Sequence, residues 1–121
     1  MSVRPQRPPD DGLASLLGPA GDEAVLPAGS RLCDQGRPGH QCFVIIEGEA
    51  VVEQDGSRLR SLASGEFVGD FGPGGRPLPP SGVTVRLLIS SRVLVLDSTR
   101  LATLIESEPA LAAWCASMGR T

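Results

Sequence analysis

Between residues 25 and 82, glycine and proline interrupt the chain at short, regular intervals, and this limits the fold more than any other feature of the sequence. Gly supplies positive φ and Pro pre-sets a bend, so a chain broken this often keeps reversing and supports no long helix there. The stretches between the breaks are rich in Val, Ile and Leu, notably residues 41–46, 49–54, 83–88 and 93–97. Short β-branched runs bounded by turn residues predict strands. Asp55-Gly56, between 49–54 and 57–62, is the strongest hairpin signal. Turns are also predicted at Leu26-Pro27-Ala28-Gly29 and Gln35-Gly36-Arg37-Pro38-Gly39, with a short strand over 30–34. Residues 65–69 form another glycine-bounded segment. Residues 70–82 are dominated by Gly and Pro and are expected to hold no regular structure for long.

Helix is expected near the two ends. A short helical turn over 13–17 stops at Gly18-Pro19. Asp97 or Ser98 can cap a helix starting near Thr99 that carries Leu101, Leu104 and Ile105 on one face. Pro109 suits the first position of a second short helix bearing Leu111, Trp114 and Cys115. Regular turn spacing over β-branched runs points to a sandwich or barrel rather than a βαβ fold.

A chain of 121 residues suits one core, and 40% hydrophobic with 21% charged residues is ordinary globular usage. Aromatic residues are only 3%, so that core must be aliphatic. Residues 1–12, with Pro5, Pro8 and Pro9, are expected to be a flexible tail, and 13–121 a single domain. The net charge of −3 lacks the basic stripe with which a protein tracks nucleic acid. No apolar run approaches the roughly 20 residues of a membrane span, and residues 1–12 lack a signal-peptide core, so a cytoplasmic protein is expected.

Cys33, Cys42 and Cys115 are odd in number and match no zinc spacing, so reduced thiols are expected. Cys33 and Cys42 flank one turn, and a facing redox pair is the chemistry they would allow. His40, the only histidine, reads as a solvent-facing turn residue, which leaves a metal site without imidazoles and a Ser-His-Asp arrangement without located partners. No enzymatic activity, metal or cofactor is expected.

Several segments, in order, resemble the cyclic-nucleotide-binding domain family, the jelly-roll module of catabolite activators and kinase regulatory subunits. They are Leu26-Pro27-Ala28-Gly29, Asp34-Gln35-Gly36 with Pro38-Gly39, and Phe43-Val44-Ile45-Ile46-Glu47-Gly48. Gly65-Glu66-Phe67-Val68-Gly69-Asp70, Thr84-Val85-Arg86 and Leu94-Val95-Leu96-Asp97 complete the set. The resemblance implies a mainly β jelly roll, a double-stranded β-helix barrel, with short helices at the C-terminal end. Gly36, Gly39, Gly48, Gly65 and Gly69 then fall at strand reversals, where positive φ is expected.

The resemblance also implies a phosphate-binding cassette over residues 69–84. The family pattern resembles Gly-Glu-Leu-Ala-Leu, a short helix, then Arg-Ser/Thr-Ala. Glycine and helix amides meet the cyclic phosphate, the glutamate accepts from the ribose 2′-hydroxyl, and the arginine pairs with the phosphate. Here Gly69 is retained and Asp70 replaces the glutamate. Phe71-Gly72-Pro73-Gly74-Gly75 replaces the helical residues, and the arginine position falls on Pro80 or Ser81. The candidate ligand-binding residues are Gly69, Asp70, Phe71, Gly72, Arg76, Ser81, Gly82 and Thr84. The expected function is a stand-alone regulatory module with a degenerate pocket, acting through a protein partner or a non-standard small-molecule ligand. The alternative is a genuine cAMP or cGMP sensor in which Arg76 and the loop amides replace the cassette arginine. A homodimer is among the assemblies the resemblance implies.

Overall fold

The computed structural model describes residues 17–37, 39–71 and 77–113. Strand pairing builds two four-stranded antiparallel sheets. β1 (Gly21–Leu26), β10 (Ser91–Asp97), β3 (Gln41–Glu47) and β6 (Phe67–Val68) form sheet A in that spatial order. β2 (Arg31–Cys33), β9 (Thr84–Leu87), β4 (Glu49–Gln54) and β5 (Ser57–Ala63) form sheet B. A small ladder joins β7 (Asp70–Phe71) to β8 (Pro77–Leu78). The helix α1 (Ser98–Ser107) follows β10 directly, and residues 109–113 are helical again.

Side-chain alternation divides the core into two layers. Phe43, Ile45 and Val93 of sheet A face Ala50, Val52, Leu62, Val85 and Leu87 of sheet B, and these residues fill the space between the sheets. The other faces of β3 and β10 carry Cys42, Val44, Leu94 and Leu96, which pack against Leu17, Ala20, Leu101 and Leu111. This double burial explains why the runs Cys42-Phe43-Val44-Ile45 and Val93-Leu94-Val95-Leu96 are continuously apolar rather than alternating. At the edge of sheet B, β5 buries only Leu62.

Local chemistry fixes the reversals. Asp55 and Gly56 both have positive φ, 53° and 81°, the backbone of a two-residue hairpin whose twist matches its strands. Gln35 ties this hairpin to the neighbouring turn: its Nε2 donates to Asp55 Oδ1 at 2.8 Å, and its Oε1 accepts from the Asp55 amide at 2.8 Å. Of the two predicted cap residues for α1, Asp97 is the one that acts, its Oδ2 accepting from the Arg100 amide at 2.9 Å.

The structure departs from the sequence expectations in several places. β10 starts two residues before the predicted 93–97, because the bulge between Arg92 and Val93 absorbs an irregularity that alternation alone would read as a strand end. Residues 70–71 and 77–78, expected to be loop, form the β7–β8 ladder. Gly39 and Gly69 are not among the glycines with positive φ, whereas Gly36, Gly48 and Gly65 are. Cys33 and Cys42 do not face each other. Cys33 packs against the layer between the sheets, Cys42 lies in the layer under α1, and both are free thiols. The predicted tail (1–12), residues 13–16 of the predicted turn over 13–17, Trp114 and Cys115 lie outside the described residues.

Candidate functional site

The site predicted from the sequence lies where β6 leaves sheet A and the chain crosses toward β9. Gly69 stands at this crossing with backbone on one side and an aromatic ring on the other. A Cβ built on it would lie 2.7 Å from the Phe67 ring and 2.9 Å from the Leu78 carbonyl oxygen. Close approach, rather than a left-handed backbone, is what demands glycine here.

Asp70 follows on β7. Its Oδ2 accepts from the Ser81 amide at 3.2 Å and from the Ser81 hydroxyl at 3.3 Å. The carboxylate therefore pins the end of the crossing segment back to its start. The β7–β8 ladder does the same through the main chain, pairing Asp70 with Leu78 and Phe71 with Pro77. Pro77 has no amide to donate, which suits a short ladder at the margin of the sheets.

Gly69, Asp70 and Ser81 border a cleft of about 160 Å³ that reaches down to the interior-facing residues of sheet B. Val52, Leu62, Val68 and Val85 form its floor, and buried Pro80 also lines it. Gly82 and Thr84, although predicted for the site, are not among its lining residues. The Gly82 carbonyl accepts from Gln54 Nε2 at 3.0 Å, and Thr84 Oγ1 accepts from the Gln35 amide at 3.0 Å. Both are engaged with Gln54 and Gln35, beside the β4–β5 hairpin, rather than with the cleft. Gly72, Arg76 and the Phe71 side chain lie outside the described residues.

Arg60, which the sequence reading passed over, also lines the cleft. It pairs with Val52 across β4–β5, so it shares the interior-facing side with Leu62. Arg58 pairs instead with Glu53, beyond a register shift between Val52 and Glu53. Strand parity from Leu62 singles out Arg60 but also Arg58, and only the bulge separates the two.

The rest of the chemistry is structural. The Cys42 thiol donates to the Leu78 carbonyl at 3.3 Å, and burial, reinforced by the Asp70 charge, pushes it up to about 12. Burial also raises the Cys33 thiol, which donates to the Val83 carbonyl at 3.4 Å. Neither has the lowered pKa of a reactive cysteine. His40 is exposed, as expected, and its carbonyl accepts from the Ser98 hydroxyl. Among the described residues no group of three or more His, Cys, Asp or Glu side chains is placed to hold a metal ion. No helix of the described residues is long and apolar enough to cross a membrane.

Two antiparallel sheets, helices packed on one face and a cleft beside a glycine-marked crossing define a jelly-roll domain. The model of the cyclic nucleotide-binding domain matches residues 23–108, and the chain belongs to that family. The fold is shared with a transcriptional regulator from Thermotoga maritima at 18% identity and a TM-score of 0.71, covering 89% of this chain and 86% of that one. The catabolite activator protein of Thermus thermophilus is similar at 18% identity and a TM-score of 0.68, over 92% of this chain and 52% of that one. The C-linker/CNBHD of zELK channels, crystallised in the presence of cAMP, matches at 18% identity and a TM-score of 0.69, over 88% and 54%. This chain thus spans about half the length of the last two. No curated protein matches the sequence at a significant level.

Proposed function

We propose that this domain is a regulatory binding module whose cleft has given up the family's way of holding a cyclic nucleotide. The observation that carries this reading is the Asp70–Ser81 pair. At the position where the family's glutamate meets a ribose hydroxyl, this carboxylate accepts two hydrogen bonds from its own chain. Turning it toward a ribose would strip the Ser81 amide and hydroxyl of their acceptor. The position of the cassette arginine, on Pro80 or Ser81, supplies no cation. The cleft volume of about 160 Å³ also falls below the roughly 300 Å³ at which drug-sized pockets begin. The module then responds to a smaller ligand and passes its state to a protein partner.

The test is thermal unfolding with cAMP and with cGMP at millimolar concentration. The expected result is an unchanged midpoint with both. A nucleotide at a hundred times its Kd adds about 2.7 kcal/mol, which in a domain this size raises the midpoint by roughly 5–15 °C. Such a rise overturns the reading. If Arg76→Ala abolishes it while Ser81→Ala leaves it, the domain is a sensor built on Arg76.

A further inference from the structure

We infer that the cleft between β5 and the β7–β8 crossing takes a small organic monocarboxylate, anchored by Arg60. This rests on the preceding reading, since a cyclic nucleotide in the same cleft would displace it.

Three observations carry the inference. The first is the state of Arg60. Arg31, Arg86 and Arg92 are each paired with a carboxylate, at 2.8 Å to Asp34, 2.8 Å to Glu53 and 3.3 Å to Glu23. Arg60 lines the cleft and has no ion pair or side-chain hydrogen bond among the described residues. It is also the one cation among the described residues lining that cleft. A guanidinium offers a planar fork of donors that fits a carboxylate in a bidentate, charge-assisted contact.

The second is the floor. Val52, Leu62, Val68 and Val85 are buried and present only apolar atoms. A ligand that uses both the floor and Arg60 needs an apolar body with its charge at one end. The third is size and charge together. A cavity of about 150 Å³ lined by aliphatic side chains accommodates benzene, and this cleft is about 160 Å³. A cyclic nucleotide is several times larger than benzene. Asp70 borders the same cleft, so a dianionic headgroup would face a carboxylate with only one guanidinium to offset it. A single negative charge on a ring-sized apolar body fits best.

Benzoate is a probe with these properties. Methyl NMR of the whole chain, titrated with sodium benzoate, is expected to shift the Val52, Leu62 and Val85 resonances with a Kd of order 1 mM, the range of a ligand this small. Benzamide, which has the same shape without the charge, is expected to bind at least tenfold more weakly, and phenyl phosphate more weakly than benzoate. Arg60→Gln is expected to weaken benzoate by roughly ten- to a hundredfold, the usual worth of a charge-assisted contact. Because Arg60 is exposed and has no partner among the described residues, that variant should keep the amide spectrum of the native fold. Methyl resonances unmoved by benzoate, or equal benzoate affinity in Arg60→Gln, overturn the inference. Titration of the same sample with cAMP separates the two readings. Silence with both ligands rejects the monocarboxylate alone, whereas cAMP shifts at these methyls reject the proposed function with it.

Discussion

Gly48 shows how much one missing side chain decides. Its φ is +148°, a region that L residues rarely adopt, and a Cβ there would strike the side chain of Ser91, the buried hydroxyl that donates to the Ile89 carbonyl at 2.8 Å. Gly48→Ala is therefore expected to destabilise the domain by about 2–4 kcal/mol, combining backbone strain with overpacking, as read from urea unfolding midpoints. Gly69 is glycine for a different reason, since its Cβ would press on the Phe67 ring and the Leu78 carbonyl. In the sequence the two residues are the same letter beside a strand end. Their positions were legible; the distinction between forbidden φ and forbidden space was not, because it depends on partners far along the chain. The same limit hid Arg60. Its neighbour Arg58 has the same parity in the strand, and only the extra residue between them, Leu59, where the register shifts, gives Arg60 and Arg58 the different partners Val52 and Glu53.

Strands β3, β4 and β9 were readable because their apolar runs belong to the core, whereas β1 was not: only Ala24 and Leu26 of its six residues pack there, and Leu26 read as part of the following turn. The β7–β8 ladder escaped because two paired residues are too few to establish an alternation, and one of them is a proline. Helix α1 was readable at both levels, cap and face. Leu101 is fully buried, with Leu104 and Ile105 packed beside it. Its first turn is held by Asp97, and Arg100 reaches from it to donate to the Pro19 carbonyl at 2.9 Å. Asp97→Ala is expected to cost about 1 kcal/mol, the usual worth of an N-cap. Hydrogen exchange should localise the loss to the first turn of α1, while the amides of β4 and β9, which belong to the other sheet, keep their protection.

At the scale of the whole molecule, ionisable groups make stability depend on pH at both extremes. Arg86 hydrogen-bonds Glu53 across sheet B at 2.8 Å, and this contact holds the Glu53 carboxyl below its ordinary value. A pKa lower in the folded than in the unfolded chain gives stabilisation that is complete above the ordinary carboxylate pKa and lost as pH falls through the folded value. Acid unfolding of Glu53→Gln should accordingly be less steep than that of the parent. Cys42 acts at the other end. Its thiol is raised from 9.0 to about 12 by burial, with the Asp70 charge adding to the effect. The folded chain keeps this proton longer than the unfolded chain does, so stability falls as pH climbs from about 9 toward 12. In Cys42→Ala the alkaline limb of a stability–pH curve should be shallower, whatever the variant's stability at neutral pH.

Strand β5 is the outermost strand of its sheet, and Leu59 is 54% exposed between two arginines. An open edge with an apolar side chain invites a strand from another molecule to continue the sheet, and flanking positive charge is a common deterrent. Arg58 and Arg60 stand on either side of Leu59, where such charges are placed. A carboxylate held by Arg60 would neutralise one of those two charges and leave only Arg58 beside the edge, which would couple occupancy of the cleft to the colloidal stability of the protein.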